Sequence, residues 1–251
     1  MRQIMGLPVS LLARGCAARA AEVNAAALRC FEHMAWADEM FSTYKADSAI
    51  SRMARGELSL DDSPPEVRRV ARRCEWAREL TGGLFDAVRP DGVWDPSGLV
   101  KGWAAEDGLG LLLEVSDVDW CLNAGGDVMA TSRSGEPFVV GIEDPLARGN
   151  VRATVPCVSG AVATSGTAAR GAHIYSPGAA AAASSVSASV SVFGPSLEVA
   201  DVLATAAIVA GDDWASLVTS VPGYAALQIS ADGRAQATSG WPGTADTRLQ
   251  P

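Results

Sequence analysis

The chain has 251 residues, 48% apolar and 20% charged, long enough to bury a sizeable core and ordinary for a globular protein. Twenty Lys and Arg stand against 29 Asp and Glu, a formal charge of -9 with no basic run, which argues against nucleic acid and fits a metal ion or a cation-bearing ligand better. The five cysteines, Cys16, Cys30, Cys74, Cys121 and Cys157, are odd in number and widely spaced, so neither a disulfide framework nor a zinc site is expected and they read as small core residues in a reducing compartment.

The opening "MRQIMGLPVSLLARGC" looks like a bacterial lipoprotein signal, but Pro8 breaks the short apolar run and Arg14 precedes Cys16 by two places, where a small neutral residue belongs. A first strand over 3–13 is expected instead. No stretch approaches the roughly 18 uninterrupted apolar residues of a membrane span, and a cytoplasmic location is expected. Residues 16–40 then read as a long helix, with Val23, Ala27, Phe31, Met34 and Ala35 recurring at helical spacing. In "SPPEVRRVARRCEWAREL" Ser63 offers a cap, Pro64 and Pro65 suit a first turn, and Val67, Val70, Cys74 and Ala77 form an apolar stripe. Asp95 followed by Pro96 predicts a capped helix over 96 to about 107.

Beyond residue 114 the pattern changes to short apolar runs between turn residues: "VDWCLNA", "DVMA", "PFVVGI", "VRATV", "GAVAT", "SVSASVSVF" and "YAALQIS", all predicted strands. "SLEVADVLATAAIVAG" predicts a helix from near Ser196 to Gly211, and Asp212 or Asp213 then caps a short helix to about Ser220. Helices followed by a mainly antiparallel sheet with inserted helices make an α+β fold, expected as a single domain over 1–251. The biased segment from 178 reads as a flexible Ala/Ser-rich loop at about 178–185 followed by a strand.

Several segments could carry chemistry, and each has a plainer reading. The start of the Asp95 helix offers free N–H groups and a positive dipole end to a phosphate, with Lys101 less than two turns away; alone, it reads rather as a capped surface helix with a solvated lysine. Asp201 and Thr205, four apart on one helix face, are hard oxygen ligands suited to Mg²⁺, yet alone they read as a satisfied polar residue and a threonine bonded to its own helix. "TGGLFDAVRPDG" and "NAGGD" could bring backbone close to a ligand or be plain turns. His173 and His33 are the two histidines, each more simply structural. No GxGxxG, Walker, CxxC, HExxH or GxSxG pattern is present.

Taken together, "IMGLPVSL", "FSTYKADSAISRMARGEL", "TGGLFDAVRPDG", "DPSGLVKGWAAE", "NAGGDVMA", "FVVGIEDP", "AVATSGTAARGAHIYSP" and "SVSVFGPSLEVADVLATAAIVAG" follow the order and spacing of the ApbE family, the FAD:protein FMN transferases, over roughly residues 3–240. The resemblance implies an ApbE-like fold holding FAD in a cleft with Mg²⁺ at its diphosphate. It implies transfer of FMN to a Thr or Ser hydroxyl of an acceptor protein carrying a Ser/Thr-Gly-Ala-Ser/Thr segment, with release of AMP. The family's metal ligands match Asp201, Thr205 and the carbonyl of Gly98. Its FAD contacts match Met5, Tyr44, Leu84, Phe85, Asp86, Asp95, Lys101 and Ile174, and its histidine matches His173, an acid or base near the transferred phosphate. With Asp201 and Lys101, His173 completes the implied catalytic set. Tyr44 would stack on a ring of the cofactor. Where the family reads "HIxDPRTG" this chain has "HIYSPGAAAAAS", with Ser176 for the aspartate, and Ala54 stands where many members have asparagine. The same site could hydrolyse FAD to FMN and AMP, or hold FAD with weakened catalysis.

Overall fold

A computed structural model describes residues 1–15, 20–166 and 187–245. Within them, residues 1–15 form a hairpin of β1 (Arg2–Ile4) and β2 (Leu7–Gly15), not the single strand expected over 3–13. The chain reverses at Met5 and Gly6, with φ of 54° and 69°, the paired positive values of a type I′ turn. A methionine in the left-handed region is uncommon, which is why the apolar run concealed the turn.

Helix α1 (Ala20–Phe41) buries Ala26, Cys30, Met34, Ala37 and Phe41, the three-and-four spacing of one face. The sequence reading did not mark the short α2 (Ala49–Ala54), which opens where Ser48 Oγ accepts the N–H of Ser51. In α3 (Pro65–Leu80) the expected apolar stripe is buried, but Ser63 is not its cap. The Ser63 hydroxyl donates to the Leu60 carbonyl at 2.6 Å, and Pro64 takes the N-cap place, its carbonyl accepting from Val67 and Arg68. Helix α4 (Ser97–Leu112) runs past the expected end at 107, because Leu109 and Leu112 continue its buried face. At its start Pro96 holds the N-cap place, while Asp95 Oδ1 accepts the N–H of Ser97 at 3.0 Å.

The strands follow as β3 (Val118–Ala124), β4 (Asp127–Thr131), β5 (Phe138–Glu143), β6 (Val151–Cys157), β7 (Ser159–Gly166) and β8 (Ser187–Gly194). After α5 (Leu197–Ala210), a 3₁₀ turn (Gly211–Asp213) and α6 (Trp214–Thr219) come β9 (Ala225–Ser230), β10 (Ala235–Ala237) and β11 (Thr244–Ala245). Ser196 caps α5, its Oγ accepting from Val199 at 3.3 Å. Asp213 holds the N-cap place of α6 without a side-chain cap bond, since the 3₁₀ turn already leads the chain into that helix.

One eight-stranded sheet has the order β1-β2-β3-β4-β7-β8-β9-β10, and a three-stranded sheet the order β11-β6-β5, every pairing antiparallel. Alternation decides the two faces of the large sheet. Leu122, Ala161, Ala163, Val190 and Val192 pack against α1, α4 and α5, whereas Val128, Ala130, Val162 and Leu227 pack against the small sheet. A further cluster, with Phe41, Val70, Leu99 and Trp103, joins α3 to α1 and α4. This is the mixed α+β single domain with antiparallel sheet and packed helices that the sequence predicts. The stretch Leu197–Thr219 has the length and hydropathy of a membrane span, but α5 packs between α4 and strands β7 and β8 and buries Asp201 and Glu198.

Candidate active site

Between α3 and α4 the chain makes a tight detour. Gly82 and Gly83 take φ of 60° and 84°, and buried Thr81 holds the turn, donating to the Ala77 carbonyl at 2.8 Å and accepting the N–H of Phe85 at 3.0 Å. Phe85 is buried, and a Cβ at Gly98 would lie 3.2 Å from its ring, so the glycine lets the aromatic side chain settle on the start of α4. Asp86 accepts the N–H of Val88 at 2.8 Å and lies 3.4 Å from Arg78 Nε. The chain doubles back through a Val88–Trp94 bridge, and the N–H of Asp95 donates to the Ala87 carbonyl at 2.7 Å. Leu84, Phe85, Asp86, Asp95 and Gly98 are thereby gathered at the N-terminal end of α4.

Lys101 follows on the same helix and is not solvated; it is 7% exposed. The burial originates next door, at Gly102, where a Cβ would come within 2.9 Å of the Glu198 Cα. Close approach of α4 and α5 turns Lys101 inward, where its Nζ contacts Asp127 and lies 3.2 Å from Asp201 Oδ1. Asp127 Oδ1 also accepts the N–H of Thr164 at 3.1 Å. One turn beyond Asp201, Thr205 Oγ1 lies 3.0 Å from Ser165 Oγ, so this threonine is tied to β7. Groups from α4, α5, β4 and β7 converge on one buried, charged centre.

The start of α5 is fixed by a second network. Glu106 of α4 accepts from Ser196 Oγ at 2.7 Å and from the N–H of Glu198 at 3.1 Å, a carboxylate at a helix N-terminus that the dipole favours. Burial pushes the Glu198 carboxyl above its ordinary range against the pull of Arg73, whose Nε lies 2.8 Å away.

The remaining expected residues are placed differently. Met5, at the hairpin turn, packs at the junction of the two helix-side clusters. Tyr44 lies in the loop between α1 and α2 and is 92% exposed. His173 and Ile174 lie outside the described residues, as do Ser176 and the loop at about 178–185. His33 packs its ring beside Trp36 and Trp103, and burial holds its pKa below the ordinary value. A groove of about 260 Å³ beside α2, lined in part by Trp36, Met40, Arg52 and Leu58, contains none of the residues gathered at α4 and α5.

Asp127 was not expected in the site. Its signal was available, since alternation along β4 sends Asp127 and Met129 to the helix face, but "NAGGD" also reads as a plain hairpin. Among the described residues no group of three or more His, Cys, Asp or Glu side chains forms a metal cluster. Gly98 is inside α4, where the helix ladder directs its carbonyl toward Gly102 and leaves one lone pair for another partner.

The sequence model of the ApbE family matches residues 88–228, a span that includes Lys101, Asp127, Asp201 and Thr205. The chain belongs to the ApbE family. No curated protein matches it, but solved structures share its fold. The ApbE protein of Thermotoga maritima superposes with a TM-score of 0.81 at 22% identity, covering 94% of this chain and 95% of that one. A mutant of the flavin transferase ApbE from Vibrio cholerae gives 0.76 at 19% identity, covering 95% and 96%. The apo flavinyl transferase ApbE of Pseudomonas stutzeri gives 0.73 at 19% identity, covering 92% and 95%. Near-complete coverage in both directions makes the α+β architecture described above the ApbE fold.

Proposed function

We propose that this protein is an FAD:protein FMN transferase, moving FMN from FAD to a Thr or Ser hydroxyl of an acceptor protein and releasing AMP. The observation that carries the reading is the buried Asp127–Lys101–Asp201 centre beside the gathered start of α4, in a member of a family whose structural relatives include flavin transferases. Phosphoryl transfer asks chiefly for positioning and charge neutralisation. The N-terminal end of α4 turns the positive end of its dipole toward a diphosphate, Lys101 adds positive charge within reach, and the turn held by Thr81 keeps Phe85 and Asp86 against that end.

The donors fit Mg²⁺, which prefers oxygen and commonly takes one or two protein carboxylates. Asp201 and Thr205 share a helix face and the Gly98 carbonyl has a spare lone pair, so these three residues would hold it. Bound there, Mg²⁺ would neutralise charge developing on the diphosphate. In the reaction the acceptor oxygen bonds to the FMN phosphorus, the bond from that phosphorus to the AMP oxygen breaks, and the hydroxyl proton passes to a base, a role the family resemblance gives to His173.

The test is incubation of the purified protein with FAD and Mg²⁺, with and without a domain carrying a Ser/Thr-Gly-Ala-Ser/Thr segment, followed by AMP release and intact mass. AMP together with an FMN-sized mass gain on the domain is the expected result. AMP and free FMN with no adduct would make the protein an FAD diphosphatase, and bound FAD with no AMP would make it a flavin holder.

A further inference from the structure

We propose that Asp127 is a positioning residue that draws the Lys101 ammonium toward β4 and so leaves Asp201 available to a divalent cation. The inference rests on the metal role given to Asp201 above. It starts from Lys101 Nζ, which contacts Asp127 on the strand side and Asp201 Oδ1, at 3.2 Å, on the helix side. All three side chains are buried, the residues being 7%, 2% and 3% exposed, so each charge depends on its neighbours more than on water. An ammonium beside Asp201 competes with a metal for the same carboxylate, because both are cations seeking the same lone pairs.

Asp127 is built to win the lysine. Its Oδ1 is fixed by the N–H of Thr164 at 3.1 Å, which orients the carboxylate so that Oδ2 meets Nζ. It begins β4 in the large sheet, in register with Ala124 of β3, and therefore has little freedom to follow the lysine elsewhere. Lys101 has a flexible four-carbon stem. Remove the charge at Asp127 and, among the described residues, the carboxylate left beside the ammonium is Asp201.

The experiment measures Mn²⁺, an oxygen-seeking stand-in for Mg²⁺, binding to the full chain without FAD, by electron spin resonance and calorimetry. Asp127→Asn is expected to weaken Mn²⁺ binding about tenfold. Lys101→Met is expected to tighten it, and the double variant should bind at least as well as the parent, since without the ammonium nothing competes for Asp201. Circular dichroism and thermal melting report folding for each variant, and the double variant keeps the test open should Asp127→Asn fail to fold. Unchanged binding in folded Asp127→Asn would overturn the proposal, as would a double variant as weak as Asp127→Asn, since capture by Lys101 would then not be the cause. Asp201→Ala separates the two levels of the argument. If it binds Mn²⁺ as the parent does, the metal reading itself falls; if it loses binding while Asp127→Asn does not, only the role of Asp127 falls.

Discussion

Two buried aspartates on neighbouring strands of one sheet have opposite surroundings. Asp119 of β3 is 3% exposed, shut off by the thin turn after β4 more than by depth. Its oxygens accept from Ser134 Oγ at 2.6 Å, the Ser134 N–H at 3.0 Å, the Arg133 N–H at 2.6 Å and Arg14 Nε at 3.1 Å. Asp127 of β4 meets one backbone donor and a lysine that it shares with a second carboxylate. The first acid is saturated by fixed donors and serves to close a turn. The second belongs to a cluster in which a flexible lysine is shared between two carboxylates and can be redistributed, the condition for exchanging partners with a ligand. Burial alone does not distinguish a structural carboxylate from a chemical one; the rigidity and number of its donors do.

The sharpest way to break this contrast is Asp201→Ala, expected to lower FMN transfer by about a hundredfold or more while the thermal melt stays near the parent. Normal turnover would place the chemistry elsewhere. Lys101→Ala comes next, with FAD binding, read by flavin fluorescence, expected to weaken about tenfold through lost charge at the diphosphate; unchanged affinity would reduce the lysine to a structural counter-ion.

Asp119→Asn should do the reverse, costing about 2 kcal/mol of stability with kcat unaltered. Asp119 also supplies a pH signature. Burial by itself would raise its pKa, but the donors from Ser134, Arg133 and Arg14 outweigh it and hold the carboxyl well below the ordinary 3.8. A depressed folded value stabilises fully above the unfolded one, roughly 4, and that contribution is lost as pH falls through the folded value. Denaturant midpoints taken below about pH 4 should therefore converge between parent and Asp119→Asn, and a gap that persists in acid would mean the donors are not what holds the turn. The smallest effect concerns thiols. Burial pushes Cys30 and Cys74 up to about 12, so neither should be alkylated in the native state near pH 8, roughly four units lower, while both react after unfolding.

Much of this could be read from the chain. The apolar stripe of α3, the strand series after 114 and the capped α5 rest on local periodicity, which sequence reports directly. What escaped it depended on contacts between distant segments. Met5 turns because β1 pairs with β2, and Ser63 gives up its hydroxyl to Leu60. In the site, family motifs named Lys101 and Asp201 separately, but nothing local says that Gly102 admits the Glu198 backbone and thereby faces the two residues toward one another. Asp127 was hidden by its own neighbours, since two glycines before an aspartate make as good a turn as a binding loop.

That tight crossing at Gly102 also has a consequence for motion. A methyl group there would already overlap the opposing backbone, and helices packed this closely have no slack for sliding past one another. Cofactor entry cannot then be accommodated by shear between α4 and α5. The adjustment falls to torsions of the Lys101 stem and to the turns within residues 82–95, where Gly82, Gly83 and Gly92 occupy left-handed backbone.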